Sequence, residues 1–160
     1  MDLILWRHAE AEDHPDGEAG RQGDGKDLTR QLTSRGEKQA ARMARWLDRQ
    51  LPQGARILCS PAVRAEQTAQ ALGRKLRIVP ALAPEADALA VLEQVQWPGG
   101  KSPCVVVGHQ PTLGRVIAHL LGLQEEECAV KKGALWWLRQ RQRDGRTQTV
   151  VVCVQTPELL

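Results

Sequence analysis

The feature that most constrains this chain is a set of short, unbroken apolar runs that each stop at a polar or charged residue. Leu3-Ile4-Leu5-Trp6 runs into Arg7-His8, Ile57-Leu58-Cys59 into Ser60-Pro61, and Cys104-Val105-Val106-Val107 into Gly108-His109-Gln110-Pro111. A strand with one wet face alternates apolar and polar residues; a strand that is apolar throughout is covered on both faces. The segments between these runs have helical period. Ala40, Met43, Ala44, Leu47 and Leu51 mark an amphipathic helix over about 34–50, with Ser34 and Glu37 as its capping box. Ser60 as N-cap and Pro61 at the first helical position open another helix that runs to about Gly73.

The remaining elements follow the same logic. Leu76 to Val79 reads as a third strand, 85–95 as a helix after Pro84, 97–100 as a turn, and Thr112 to Leu121 as a helix. Strands near 133–140 and 147–154 flank Arg143-Asp144-Gly145-Arg146, whose D-G pair marks a hairpin. Ala11 to Asp27 lacks periodicity and is rich in Gly, Asp and Glu, so it reads as a surface loop long enough to be functional. Strands alternating with helices predict an α/β fold with a mostly parallel sheet, in one domain spanning 1–160.

Composition removes several classes. Net charge is +3, from 22 basic and 19 acidic residues, too balanced to mark a nucleic-acid binder. No run approaches membrane-spanning length. Cys59, Cys104, Cys128 and Cys153 form no C-x-x-C pair; Cys59, Cys104 and Cys153 sit in apolar runs and read as small buried hydrophobes. Free thiols and no secretory leader predict a cytoplasmic protein. His8, Glu10, Glu12 and His14 alternate as metal ligands on a strand would, but Pro15-Asp16-Gly17 marks a loop and the spacing matches no metal template. Arg139, Arg141 and Arg143 share one strand face and read as solvated. Of Trp136 and Trp137, one is expected in the core.

Ligands of an open α/β sheet bind beyond the carboxyl ends of its strands. Here those ends carry Arg7, His8, Arg64 and His109 to one edge. Guanidinium forks bind phosphoryl oxygens bidentately, and neighbouring arginines hold an imidazole neutral, with a lone pair free to attack phosphorus. His109 is placed to stabilise charge on a phosphoryl oxygen.

These residues resemble the motifs of the histidine phosphatase (phosphoglycerate mutase-like) superfamily. Arg7-His8-Ala9 is similar to its Arg-His-Gly signature, Ser60-Pro61-Ala62-Val63-Arg64-Ala65-Glu66-Gln67-Thr68-Ala69 to its second motif, and Gly108-His109-Gln110-Pro111 to its third. Arg30-Gln31-Leu32-Thr33-Ser34-Arg35-Gly36 resembles a segment of the short SixA-type phosphohistidine phosphatases. The resemblance implies a three-layer α/β/α sandwich whose sheet of about six strands holds one antiparallel strand. It implies that His8 is the nucleophile, that Arg7, Arg64 and His109 line the phosphate pocket, and that Arg30 adds a contact. It implies further that no metal or organic cofactor is needed, and that the substrate is a phosphohistidine on another protein, such as a phosphotransfer domain.

Two positions depart from the family pattern. Ala9 replaces the usual glycine, a costly change if that residue needs positive φ. The acidic segment that supplies a proton donor in larger members is missing or shortened; Glu85 is the candidate here, with Glu10 and Asp87 as alternatives. The rival readings are a small-metabolite phosphomonoesterase with the same residues, a non-catalytic phosphoprotein-binding module, and a metal-dependent hydrolase.

Overall fold

In the computed structural model, which describes residues 1–160, the first strand, β1 (Asp2–Arg7), sends alternate side chains into two separate cores. Leu3 and Leu5 enter one, Ile4 and Trp6 the other, all fully buried. The strands β2 (Arg56–Cys59) and β4 (Cys104–Gly108) divide in the same way, Leu58 and Val106 to the first core, Ile57 and Val105 to the second. This two-sided burial is the physical reason the runs are unbroken, and each Leu, Ile or Val so buried contributes roughly 1.5–3 kcal/mol.

Helices α2 (Ser34–Gln50) and α3 (Val63–Gln70) cover one face through Met43, Ala44, Leu47, Ala65 and Ala69. Helices α4 (Ala88–Val95) and α5 (Thr112–Leu121) cover the other through Val91, Leu92, Val95, Val116 and Ile117. With the short α1 (Gly25–Leu28) and the strands β3 (Arg77–Ile78), β5 (Leu135–Arg143) and β6 (Arg146–Gln155), the sheet order is β3-β2-β4-β1-β5-β6. Neighbours among β1 to β4 pair in parallel, and β5 runs antiparallel to both its neighbours. The expected mixed sheet in a three-layer α/β/α fold is therefore present. No helix is long and apolar enough to cross a membrane.

Several boundaries move, each for an identifiable reason. The cap of α2 is Thr33, one residue before Ser34: its Oγ1 accepts from Gly36 N (3.0 Å) and also donates to Glu10 Oε1 (3.0 Å), so the helix start is tied to the segment after His8. Gly36 is required by the same junction, because a Cβ there would collide with the Glu10 carbonyl. Ser60 does not cap α3, which begins at Val63 and ends at Gln70; its hydroxyl is committed elsewhere. The third strand shrinks to Arg77–Ile78, and α4 starts three residues late, capped by Asp87, whose carboxylate accepts from Leu89 N (2.9 Å).

The 11–27 segment carries α1 and a single 3-10 turn at Gly17–Ala19. The hairpin is longer than expected, and Asp144 and Gly145 both take positive φ (52° and 73°), as a tight D-G turn demands. Trp137 is the buried one of the tryptophan pair, donating to Asp2 Oδ2 at 3.1 Å. Cys153 is only partly buried, being on the edge strand β6.

Candidate active site

The strand order places the three polar strand ends side by side, since β4 lies between β2 and β1. Arg7 stands opposite Gly108; His8 N donates to Gly108 O (3.1 Å) and Ser60 N to Val107 O (3.0 Å). The chain after His8 is fixed from both sides. Gly133 N donates to His8 O (3.0 Å), and Ala9 N donates to Thr68 Oγ1 (3.0 Å), which itself donates to Arg64 O (2.8 Å). Ala9 is fully buried against Leu32 and Ala40, and the non-glycine residues with positive φ are Glu85, Gln96 and Asp144. The departure from glycine at position 9 thus carries no backbone strain.

The hydrogen bonds of His8 settle its tautomer. Nδ1 lies 2.7 Å from the Ala9 carbonyl, which can only accept, so Nδ1 carries the proton and Nε2 holds the lone pair. Arg64 Nε points an N–H at that Nε2 from 3.4 Å. Burial, then His109, Arg64 and Arg7, holds the His8 imidazole well below the ordinary histidine range; the Ala9 bond opposes this only in part.

His109, with its ring centroid 5.2 Å from that of His8, is pushed down to about 3 by burial and then by Arg64. Its Nε2 lies 2.7 Å from Ser60 Oγ, which already accepts from Ala62 N (3.1 Å). Ser60 can donate its hydroxyl hydrogen to His109 Nε2, an arrangement that leaves the ring proton on Nδ1; that nitrogen is buried and has no partner. A buried donor without an acceptor is costly unless a ligand supplies one. Arg7 shows the same pattern: Nη1 donates to Val130 O (2.8 Å), while Nε is buried and unpaired.

Arg64 is 1% exposed and is held by Asp27, donating from Nη1 to its carbonyl (2.8 Å) and from Nη2 to its Oδ2 (3.1 Å). Arg30 Nε donates to the other oxygen, Asp27 Oδ1 (2.9 Å). Burial raises the Asp27 carboxyl, but the Gly23 N–H and the two guanidiniums outweigh it and hold the group below its usual value. Asp27 thus clamps two arginines, one of them against the lone pair of His8. Sequence reading missed it; its Asp-x-x-Arg spacing to Arg30, within reach across one turn, was the available signal. Ser60 was read as a cap and is instead the partner of His109.

The resulting cleft, about 370 Å³, is lined by Arg7, His8, Asp27, Arg30 and Arg64, with Asp13, His14, Gln110 and Lys132 among the rest, and Ala11 as its one apolar residue. Its guanidiniums, ammonium and unpaired donors suit an oxyanion. Of the candidate proton donors, Glu10 bonds Thr33 and Asp87 caps α4. Glu85 is exposed, outside the lining, in a segment tied to the start of α5 by Thr112 Oγ1 donating to Ala86 O (2.7 Å). Asp13 is the carboxylate beside Asp27 that does line the cleft.

Two buried neutral histidines make stability fall with acid. As pH drops through about 6.5, the unfolded chain protonates both imidazoles while the folded chain, with both values depressed, does not. Each contributes a slope of up to about 1.4 kcal/mol per pH unit in that direction, and none above about pH 7. Thermal melts from pH 8 to pH 5 should show a falling Tm, with a shallower slope in His109→Asn. Parallel slopes would contradict the assignment.

A family model described as the histidine phosphatase superfamily, branch 1, matches residues 3–87, more than half of the chain. Phosphohistidine phosphatase SixA of Escherichia coli (strain K12) is 33% identical over 102 residues, covering 59% of this chain and 63% of that protein. The SixA homolog of Haemophilus influenzae is 29% identical over 137 residues, covering 76% and 78%. A solved structure of the protein histidine phosphatase SixA complexed with tungstate superposes with a TM-score of 0.75 at 24% identity, over 99% of each chain. The chain therefore belongs to the histidine phosphatase superfamily, branch 1, and is a phosphatase of that family.

Proposed function

We propose that this phosphatase hydrolyses protein phosphohistidine through a covalent phosphohistidine on His8. The observation that carries the reading is the unprotonated Nε2 of His8, aligned by the Ala9 carbonyl and flanked by Arg64 and His109. The substrate phosphoryl group docks on Arg7, Arg64 and Arg30, and the unpaired Arg7 Nε–H and His109 Nδ1–H donate to its oxygens. His8 Nε2 attacks phosphorus in line; the bond from phosphorus to the substrate nitrogen breaks, and its electron pair returns to that nitrogen. Water then attacks the phosphorylated His8, releasing inorganic phosphate and restoring the Nε2 lone pair. Charge building on the equatorial oxygens meets fixed positive groups throughout.

Three further points support phosphohistidine over a small phosphate ester. An imidazole leaves as a neutral ring once its other nitrogen carries a proton, so it needs little help from an acid, whereas an alkoxide needs a donor; of the expected donors Glu10, Glu85 and Asp87 none lines the cleft, where Asp13 is the one carboxylate besides Asp27. The first step also exchanges one phosphoimidazole for another. In addition, a cleft with Ala11 as its one apolar residue has no wall on which to hold an organic group, so recognition of the carrier falls outside it. The names of the two relatives above agree with this substrate class.

A substrate panel tests the reading. Under equal conditions, kcat/KM for a phosphohistidyl peptide should exceed that for sugar phosphates, phosphoserine and 3-phosphoglycerate by about 10²-fold or more, a difference of about 2.7 kcal/mol in transition-state stabilisation. Comparable turnover of the esters would transfer the assignment to a metabolite phosphomonoesterase, and phosphate binding with no turnover of any compound would leave only a binding module.

A further inference from the structure

Helix α2 carries a feature that the chemistry above does not use. Arg35, Lys38, Arg42, Arg45 and Arg49 recur at intervals of three and four, and all five are exposed. At 3.6 residues per turn they form one stripe down the helix, about 21 Å long. The acidic residues of the helix, Glu37 and Asp48, fall to one side of the stripe, where Asp48 is engaged by Arg74 (2.7 Å). Arg35 approaches Glu10 at 3.8 Å; Lys38, Arg42, Arg45 and Arg49 have no ion pair. Besides Glu10, the stripe is bordered by Glu158, which shares a hollow with Arg35, Lys38 and Arg42 and pairs with Lys131 at 3.3 Å. Lower down, Trp46 and Leu160 border Arg42, Arg45 and Arg49.

This arrangement works against the helix. Like charges three or four residues apart repel, and cations in the first turn oppose the helix dipole. A merely solvated face would interleave glutamates. The helix that carries the stripe is also anchored near the nucleophile: Thr33 and Gly36 hold the beginning of α2 against residue 10, two residues from His8.

Resting on the phosphohistidine reading, we propose that the α2 stripe is the docking surface for the substrate protein, and that it takes an acidic segment lying next to the phosphohistidine. The cleft then binds the phosphoryl group alone, and the stripe supplies the recognition of the carrier that the cleft lacks. A duplex nucleic acid is disfavoured, since the net charge of the chain is only +3 and the cations form a single row on one helix.

The test uses two synthetic phosphohistidyl peptides, one with six glutamates on either side of the phosphohistidine and one with six glutamines, together with inorganic phosphoramidate. The comparison is between the intact chain and the triple variant Lys38→Gln/Arg42→Gln/Arg45→Gln, whose positions are exposed and outside the cleft. For the intact chain, kcat/KM on the glutamate peptide should exceed that on the glutamine peptide by about tenfold at 50 mM salt, through KM, and shrink by 200 mM. The variant should lose that preference while keeping its phosphoramidate turnover. Equal kcat/KM for the two peptides, or a preference that survives in the variant, overturns the docking surface and leaves the substrate class standing. Turnover of phosphoramidate with none of either peptide overturns the substrate class as well. A 20-base-pair duplex that binds at 150 mM salt and is lost in the variant, with peptide kinetics unchanged, overturns it in favour of nucleic acid.

Discussion

Replacing His8 with alanine is expected to abolish turnover of every phosphorylated substrate, by about 10⁴-fold or more, because in the proposed mechanism the residue supplies the bond-forming atom and no neighbour can stand in for it. His109 is 5.2 Å away ring to ring, but its Nε2 is 2.7 Å from Ser60 Oγ, and with the ring proton on Nδ1 it has no lone pair to offer phosphorus. Anion binding should survive, since Arg7, Arg64, Arg30 and Lys132 remain in the cleft. The fold should survive too: the His8 ring bonds only the adjacent Ala9 carbonyl and Arg64. Steady-state kinetics alongside phosphate or tungstate binding by calorimetry separate the two effects. Loss of anion binding with the fold intact would mean that the ring holds the substrate rather than attacks it.

The second large effect concerns the clamp on Arg64. Asp27→Ala leaves a guanidinium that is 1% exposed without its carboxylate, and breaking a buried pair in this way costs about 3–5 kcal/mol. For a chain of this size that is a Tm fall on the order of 10 °C. Arg30 loses the same partner, so activity should fall by about 10²-fold even where folding is complete, because both arginines lose the geometry on which the phosphoryl group docks. Arg64→Ala should cost about 10³-fold in kcat/KM, since it removes charge aimed at the transferring group. The double variant should be markedly less destabilised than the sum of the single ones, because each change removes the partner of the other. Additivity within about 0.5 kcal/mol would show that the two side chains act independently.

How much of this was legible in the sequence depends on distance along the chain. The strands were readable because two-sided burial writes itself into consecutive residues. His8, Arg64 and His109 were readable as a set because each follows a strand or opens the next helix. Asp27 was not, because its chief partner lies 37 residues away and its one local signal, the Asp-x-x-Arg spacing to Arg30, is too common to single it out among the carboxylates of a polar loop. Ser60 was misassigned because a serine before a proline has the signature of a helix cap whether or not its hydroxyl is used there; the choice was made by His109, which only the folded chain brings near. The cap of α2 moved by one residue and the start of α4 by three for a similar reason, Thr33 and Asp87 each accepting from a nearby free N–H. Ala9 was a doubtful departure from the motif as long as its backbone conformation was unknown, and became harmless once that was seen.

The central claim is that phosphorus becomes bonded to Nε2 of His8 during turnover. Rapid-quench labelling with a radioactive phosphohistidyl substrate, followed by peptide mapping, measures this directly. The account predicts a label that is stable in base and lost in acid, appears within the first turnover, maps to the peptide carrying Arg7-His8-Ala9 and is absent from His8→Ala. Full single-turnover release of phosphate with no protein-bound label at any time, or a label that maps to His109, would contradict it.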